Sequence, residues 1–179
     1  MPLILKDEAQ INCEDIEMLF EIFTNDFILN EAVLGLNGSN YTITVKPECK
    51  CSCPFSKDEK PERFWHIITT KEPNYKKRNN PCPENAEKAR AYSGSRAKRI
   101  HWIKQIIENS TDDHIEYFFE NNGKPTHFLW DTKRFYMVLI KRLGNSENLL
   151  VTAYLVHKNE YRKYKKRLER YRKSIVTVE

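Results

Sequence analysis

Glycine is scarce, with five in 179 residues, and no P-loop, G-x-G-x-x-G run or nucleophile elbow occurs. A phosphate-cradling nucleotide loop needs closely spaced glycines, so nucleotide-driven chemistry is not expected. Long apolar runs are also missing: none approaches the roughly 18 residues of a membrane span. The start "MPLILKDEAQ" lacks the charged-then-apolar layout of a signal peptide. These absences point to a soluble cytoplasmic protein. Clustered carboxylates are few beyond residue 60, where Asp112-Asp113 is the one adjacent acidic pair and sits among turn residues. A two-metal nuclease site is therefore not expected.

The five cysteines (Cys13, Cys49, Cys51, Cys53, Cys82) are odd in number and mostly crowded, a poor disulfide framework that suits a reducing compartment. Two readings stay open for "CKCSC" and the next loop. Cys49, Cys51, Cys53 and Cys82 are free thiols, or they give four thiolates to a structural zinc, although such sites usually space their pairs by two to four residues.

What is present is enough apolar content, 40%, to close one core in a chain of 21.3 kDa, so residues 1–179 read as a single domain. Charge is unevenly spread. Residues 1–45 hold one Lys against eight Asp or Glu, a net of −7, while Lys158 to Lys173 hold nine Lys or Arg against two Glu, a net of +7. The basic tail can attract the acidic front or neutralise a polyanion such as RNA. Its interleaved tyrosines, Tyr161, Tyr164 and Tyr171, add rings of the kind that stack on bases.

The apolar spacing predicts a helix over 14–27, where Ile16, Leu19, Phe20, Phe23 and Phe27 share a face. A strand follows at 41–45, completing an acidic helix and strand region over 1–47. "FWHIITT" is aromatic and β-branched and reads as a strand. "AEKARAYSGSRAKRIHWIKQIIEN" reads as helical with a break at Ser93-Gly94 and Ser95 as N-cap. Four strands follow, in "HIEYFFE", "THFLWDT", "RFYMVLIKRL" and "NLLVTAYLVHK", joined by hairpin-like breaks. The expected fold is α+β: N-terminal helices packed on a four- to five-stranded antiparallel sheet, with a basic C-terminal helix.

Metal-free RNA cleavage needs a base, an acid and cations around the phosphorus. His66 suits either proton-transfer role at neutral pH. Arg96 and Arg99, one turn apart at a helix start, offer planar forks for phosphate at a position where their charge opposes the helix dipole. Lys141 and Arg142 close one strand, and Thr152 and Tyr154 share a face of the last, where two hydroxyls can address a phosphate together. Arg134 and Tyr136 read as peripheral RNA contacts. His101, His114, His127 and His157 have no metal-binding spacing and read as surface or interface residues.

The succession "FWHIIT", "SRAKRIHWIKQIIEN", "FYMVLIKR" and "LLVTAYLV" over residues 63–173 resembles the phage and prophage nucleases of the BECR superfamily, the fold shared by barnase, EndoU, the nuclease colicins and RelE. The resemblance implies a metal-independent endoribonuclease without cofactor, with His66, Arg99 and Thr152 catalytic and Arg96 in support. It also implies RNA as substrate and an antitoxin or immunity protein as partner. Two alternatives remain: a non-catalytic nucleic-acid-binding module using the same cations, and a zinc-stapled prophage interaction protein whose acidic front binds a partner.

Overall fold

The computed structural model describes residues 13–36, 38–45, 60–71, 90–143 and 147–176. The first helix, α1 (Cys13–Thr24), carries Glu14 and Asp15 in its first turn, where the macrodipole favours them, and continues as a π-helical turn through Asn25–Leu29. Leu19, Phe23 and Phe27 are buried at four-residue spacing. A hairpin follows, with β1 (Ala32–Leu36) antiparallel to β2 (Ser39–Thr44) and Gly38 at φ +76° in its turn. The strand expected at 41–45 is present; its partner β1, short and interrupted by Gly35, was not legible as one.

The stretch expected as a strand at "FWHIITT" is instead mostly helical. It forms α2 (Glu62–Ile68), and only Thr69–Lys71 is extended, as β3. Phe64, Trp65, Ile67 and Ile68 are all buried, a 1-2-4-5 spacing that fills a wide helical stripe, and Pro61 precedes the first turn with its carbonyl accepting from Phe64 N–H at 3.0 Å. Proline's missing donor makes it cheap at a helix start, and a short apolar run satisfies either period until a partner surface selects one.

The long helical stretch is corrected likewise. Arg90–Tyr92 forms β4, antiparallel to β3, before α3 (Gly94–Ala97) and α4 (Ile100–Glu108). Ser95 lies inside α3, its hydroxyl 3.0 Å from that of Ser93, which stands at the cap position. Ile100, Ile103 and Ile107 are buried on one face of α4, as their spacing predicts.

The four C-terminal strands form the expected antiparallel meander: β5 (Ile115–Glu120), β6 (Thr126–Asp131), β7 (Tyr136–Leu143) and β8 (Glu147–Leu155). Among the described residues the sheet has six strands in the order β1-β2-β8-β7-β6-β5, and β2 joins β8 parallel, so it is larger and more mixed than expected. Helices α1, α2 and α4 cover one face through Tyr136, Val138, Ile140, Leu150 and Ala153. The other face, with Phe118, Phe128, Trp130 and Met137, is covered by α5 (Lys158–Val176) through Tyr164 and Leu168. The ring-bearing stripe of α5 therefore packs on the sheet, and this helix offers solvent its charge rather than its tyrosines. No helix among the described residues is long and apolar enough to cross a membrane.

Candidate active site

A bulge shapes the site. Leu139 opposes Thr152 but Ile140 opposes Leu150, so Val151 is the extra residue of β8. The strict alternation read from the sequence fails there, and Leu150 and Ala153 both face the inner core. Among the described residues β8 meets β2 on its other side only at Asn148 and Leu149, and its later carbonyls have no strand partner there. Two arginines take that place. Arg63 Nη1 donates to the Val151 carbonyl at 2.6 Å, and Arg96 Nη2 donates to the Ala153 carbonyl and the Thr152 hydroxyl, each at 2.6 Å.

Arg96 and Thr152, far apart in sequence, are thus brought together by contact. Burial lowers the pKa of the Arg96 guanidinium, with Tyr136 and Tyr154 opposing that shift. Arg99, at the start of α4, lies over Trp102 with its Cζ 5.2 Å from the ring centre and donates to the Ser95 carbonyl. Arg134 lies against the same indole at 5.1 Å. Trp102 in turn stands edge-on to Tyr136 at 5.5 Å.

Tyr136 is fully buried, and among the described residues its hydroxyl has no hydrogen-bond partner. Burial pushes its pKa up, while Arg96 and Arg99 pull it back, which places both guanidiniums in electrostatic reach of the phenol. Among the described residues neither Arg96 nor Arg99 forms an ion pair with a carboxylate.

Across the strands Tyr136 pairs with Asp131, so the phenol and the carboxylate are neighbours on one face. Asp131 is fully buried; its Oδ1 accepts from Arg134 N–H at 2.8 Å. Its Oδ2 lies at ion-pair distance from Arg134 Nε, 3.6 Å, and 3.9 Å from His114 Nε2, but accepts no hydrogen bond among the described residues. Between Arg134 and Tyr136 the chain adopts a left-handed conformation at Phe135, φ 53°, strain of a kind that concentrates at functional sites.

The other expected site residues distribute as follows. His66 is partly buried on α2, and the link from Ser93 N–H to the Ile68 carbonyl, 2.9 Å, sets its helix against α3. Tyr154 does not share a cleft floor with Thr152: its hydroxyl meets that of Tyr164 at 2.7 Å beneath α5. Lys141 and Arg142 lie toward the opposite end of β7, five and six residues from Tyr136, the latter roughly 20 Å of extended chain away. There Arg142 neighbours His127, whose Nδ1 is 3.0 Å from the Tyr117 hydroxyl and whose pKa is pushed down to about 4 by burial, with Arg142 adding to the shift. His127 is a buried residue rather than a surface one, and His114 borders the Asp131 cleft. Cys49, Cys51, Cys53 and Cys82 lie outside the described residues.

No family model, curated protein or solved structure matches this chain. The site stands on its own geometry. Sequence reading assembled Arg96, Arg99 and Thr152 but undervalued Tyr136, Asp131 and His114. One clue was available in "FLWDTKRFY": a carboxylate ending an apolar strand, followed at once by a cation and a phenol.

Proposed function

We propose that this chain is a metal-independent endoribonuclease of the BECR type that binds a phosphodiester between Arg99 and the Tyr136 hydroxyl. The observation that carries the reading is that buried, unpartnered phenol beside two guanidiniums that have no carboxylate among the described residues. An unsatisfied buried hydroxyl costs about 1–3 kcal/mol. Its donor proton and the two adjacent cations are jointly complementary to an oxyanion.

In the reaction the 2′-hydroxyl loses its proton to a base and its oxygen bonds to phosphorus. The bond from phosphorus to the 5′-oxygen breaks, and that oxygen takes a proton from an acid. The products are a 2′,3′-cyclic phosphate and a 5′-hydroxyl. We assign proton transfer to His66, the partly buried imidazole on the helix set against α3. Arg99 and Arg96 balance the charge that builds on the phosphorane, and Thr152 holds Arg96 in place by the hydrogen bond between them.

Labelled RNA incubated with the protein in EDTA tests this. Cleavage is expected to yield cyclic phosphate ends, and His66→Ala is expected to slow it by ~10²–10⁴-fold. Retardation of the RNA without fragments would replace the enzyme by a nucleic-acid-binding module. Cutting at the wild-type rate by His66→Ala would remove His66 from the mechanism.

A further inference from the structure

Between α4 and the β6–β7 turn lies a cleft of about 150 Å³ walled by Gln105, Asn109, Asp112, His114, Asp131 and Arg134. It has room for a single heterocycle rather than for a chain segment. Asp131 Oδ2, on a fully buried side chain, accepts no hydrogen bond among the described residues, its nearest cationic neighbour being Arg134 Nε at 3.6 Å. Facing it is Arg134, a donor whose Nη1 reaches the side-chain amide oxygen Oε1 of Gln105 at 3.3 Å. The cleft and the anion position share two structural members: Arg134 and Arg99 lie on the same indole, and Asp131 and Tyr136 are cross-strand partners.

We propose that this cleft is a base-binding subsite that selects nucleobases carrying an exocyclic amino group; the choice of ligand rests on the RNA reading above. A small cation would meet the Arg134 guanidinium, and a small anion would meet Asp131 and Asp112. A neutral planar group with an N–H donor for Asp131 Oδ2 and an acceptor for Arg134 meets neither obstacle. Adenine, cytosine and guanine each carry an amino donor beside a ring or carbonyl acceptor. Uracil turns carbonyl oxygens outward on both sides of its single N–H, so one of them would oppose the carboxylate. Ile106 and Ile115 supply the apolar surface for the ring faces.

The test uses uncharged nucleosides, which need neither phosphate binding nor cleavage. Saturation-transfer NMR on the full chain is expected to show adenosine, cytidine and guanosine bound, with uridine about tenfold weaker. In Asp131→Asn the amide oxygen keeps the bond from Arg134 N–H and the amide nitrogen takes the position of Oδ2, so a donor replaces an acceptor and uridine becomes the preferred nucleoside. Should that variant fail to fold, the wild-type order still decides, and Arg134→Ala, at an exposed position, is expected to weaken the three amino-bearing nucleosides together. Equal response to all four nucleosides, or response to none, overturns the subsite. Selectivity among nucleosides in a protein that leaves RNA intact would keep the subsite and end the nuclease reading, so the two failures are distinct.

Discussion

At the scale of single residues, the informative atom is the Tyr136 hydroxyl, buried with no partner among the described residues. Tyr136→Phe removes the unsatisfied group and keeps the ring against Trp102, so it should leave stability unchanged or raise it by about 1 kcal/mol. On the proposed reading the same change should weaken RNA binding, because a donor within electrostatic reach of Arg96 and Arg99 is lost. Denaturant unfolding and filter binding check the two halves, and a variant that loses stability would mean the hydroxyl has a partner in solution. The two arginines should separate in the same way. Arg96→Ala strips donors from Thr152 and the Ala153 carbonyl and should cost about 1–3 kcal/mol. Arg99→Ala loses a contact with Trp102 worth about 0.5–1 kcal/mol, so its main effect should fall on binding and cleavage. Arg96 and Arg99 were readable as anion ligands from an expected place at one helix start; Arg99 does stand at the cap of α4, whereas Arg96 falls in the last turn of α3, because the stretch breaks into two short helices. Tyr136 was not readable in that way, since a tyrosine in a strand is ordinary until burial isolates its hydroxyl.

At the scale of elements, α5 is held on the sheet by more than its apolar stripe. Arg167 makes two 2.6 Å bonds to the Glu120 carboxylate and lies 4.4 Å from the centre of the Phe128 ring. The pair lowers the Glu120 pKa through that hydrogen bonding. Arg167→Ala should destabilise the protein by about 1–2 kcal/mol, through lost packing as well as lost charge. The neighbouring hairpin carries a pH dependence. His127 ordinarily titrates at 6.5 but is pushed down to about 4 in the fold. Between these values the unfolded ring binds a proton and the folded ring does not. Stability present above 6.5 is therefore lost as pH falls toward 4. The urea midpoint should decline across that window, and less so in His127→Gln. Elements with their own turns and alternation, β5 to β8, were legible from local pattern. The α2 segment was not: its run of aromatic and branched residues fits a strand by composition and became a helix because Phe64, Trp65, Ile67 and Ile68 are all buried in the same core.

At the scale of the whole molecule, the acidic N-terminal helix and the basic C-terminal helix cover opposite faces of the sheet, so they do not neutralise one another by contact. Instead α5 forms ion pairs with Glu116 and Glu120 on β5. Arg162, Lys163, Lys165, Lys166 and Arg170 remain exposed along it. If these cations contact single-stranded RNA, replacing Lys165 and Lys166 by alanine should reduce the slope of log affinity against log salt by about 1.4, at roughly 0.7 per phosphate. An unchanged slope would confine RNA to the opposite face, where Arg99 lies. Taken alone, the amino-acid order settled the α+β character, the meander, the basic helix and the pairing of charge with chain position, because spacing, turn residues and net charge are local quantities. Tertiary structure decided that a sixth strand joins, that α2 coils, and that Tyr136 and Asp131 stand side by side with unmatched polar atoms. The reason is physical: an unpaired hydroxyl or carboxylate oxygen costs little in water, and its cost, with the ligand it implies, exists only once neighbouring elements have buried it.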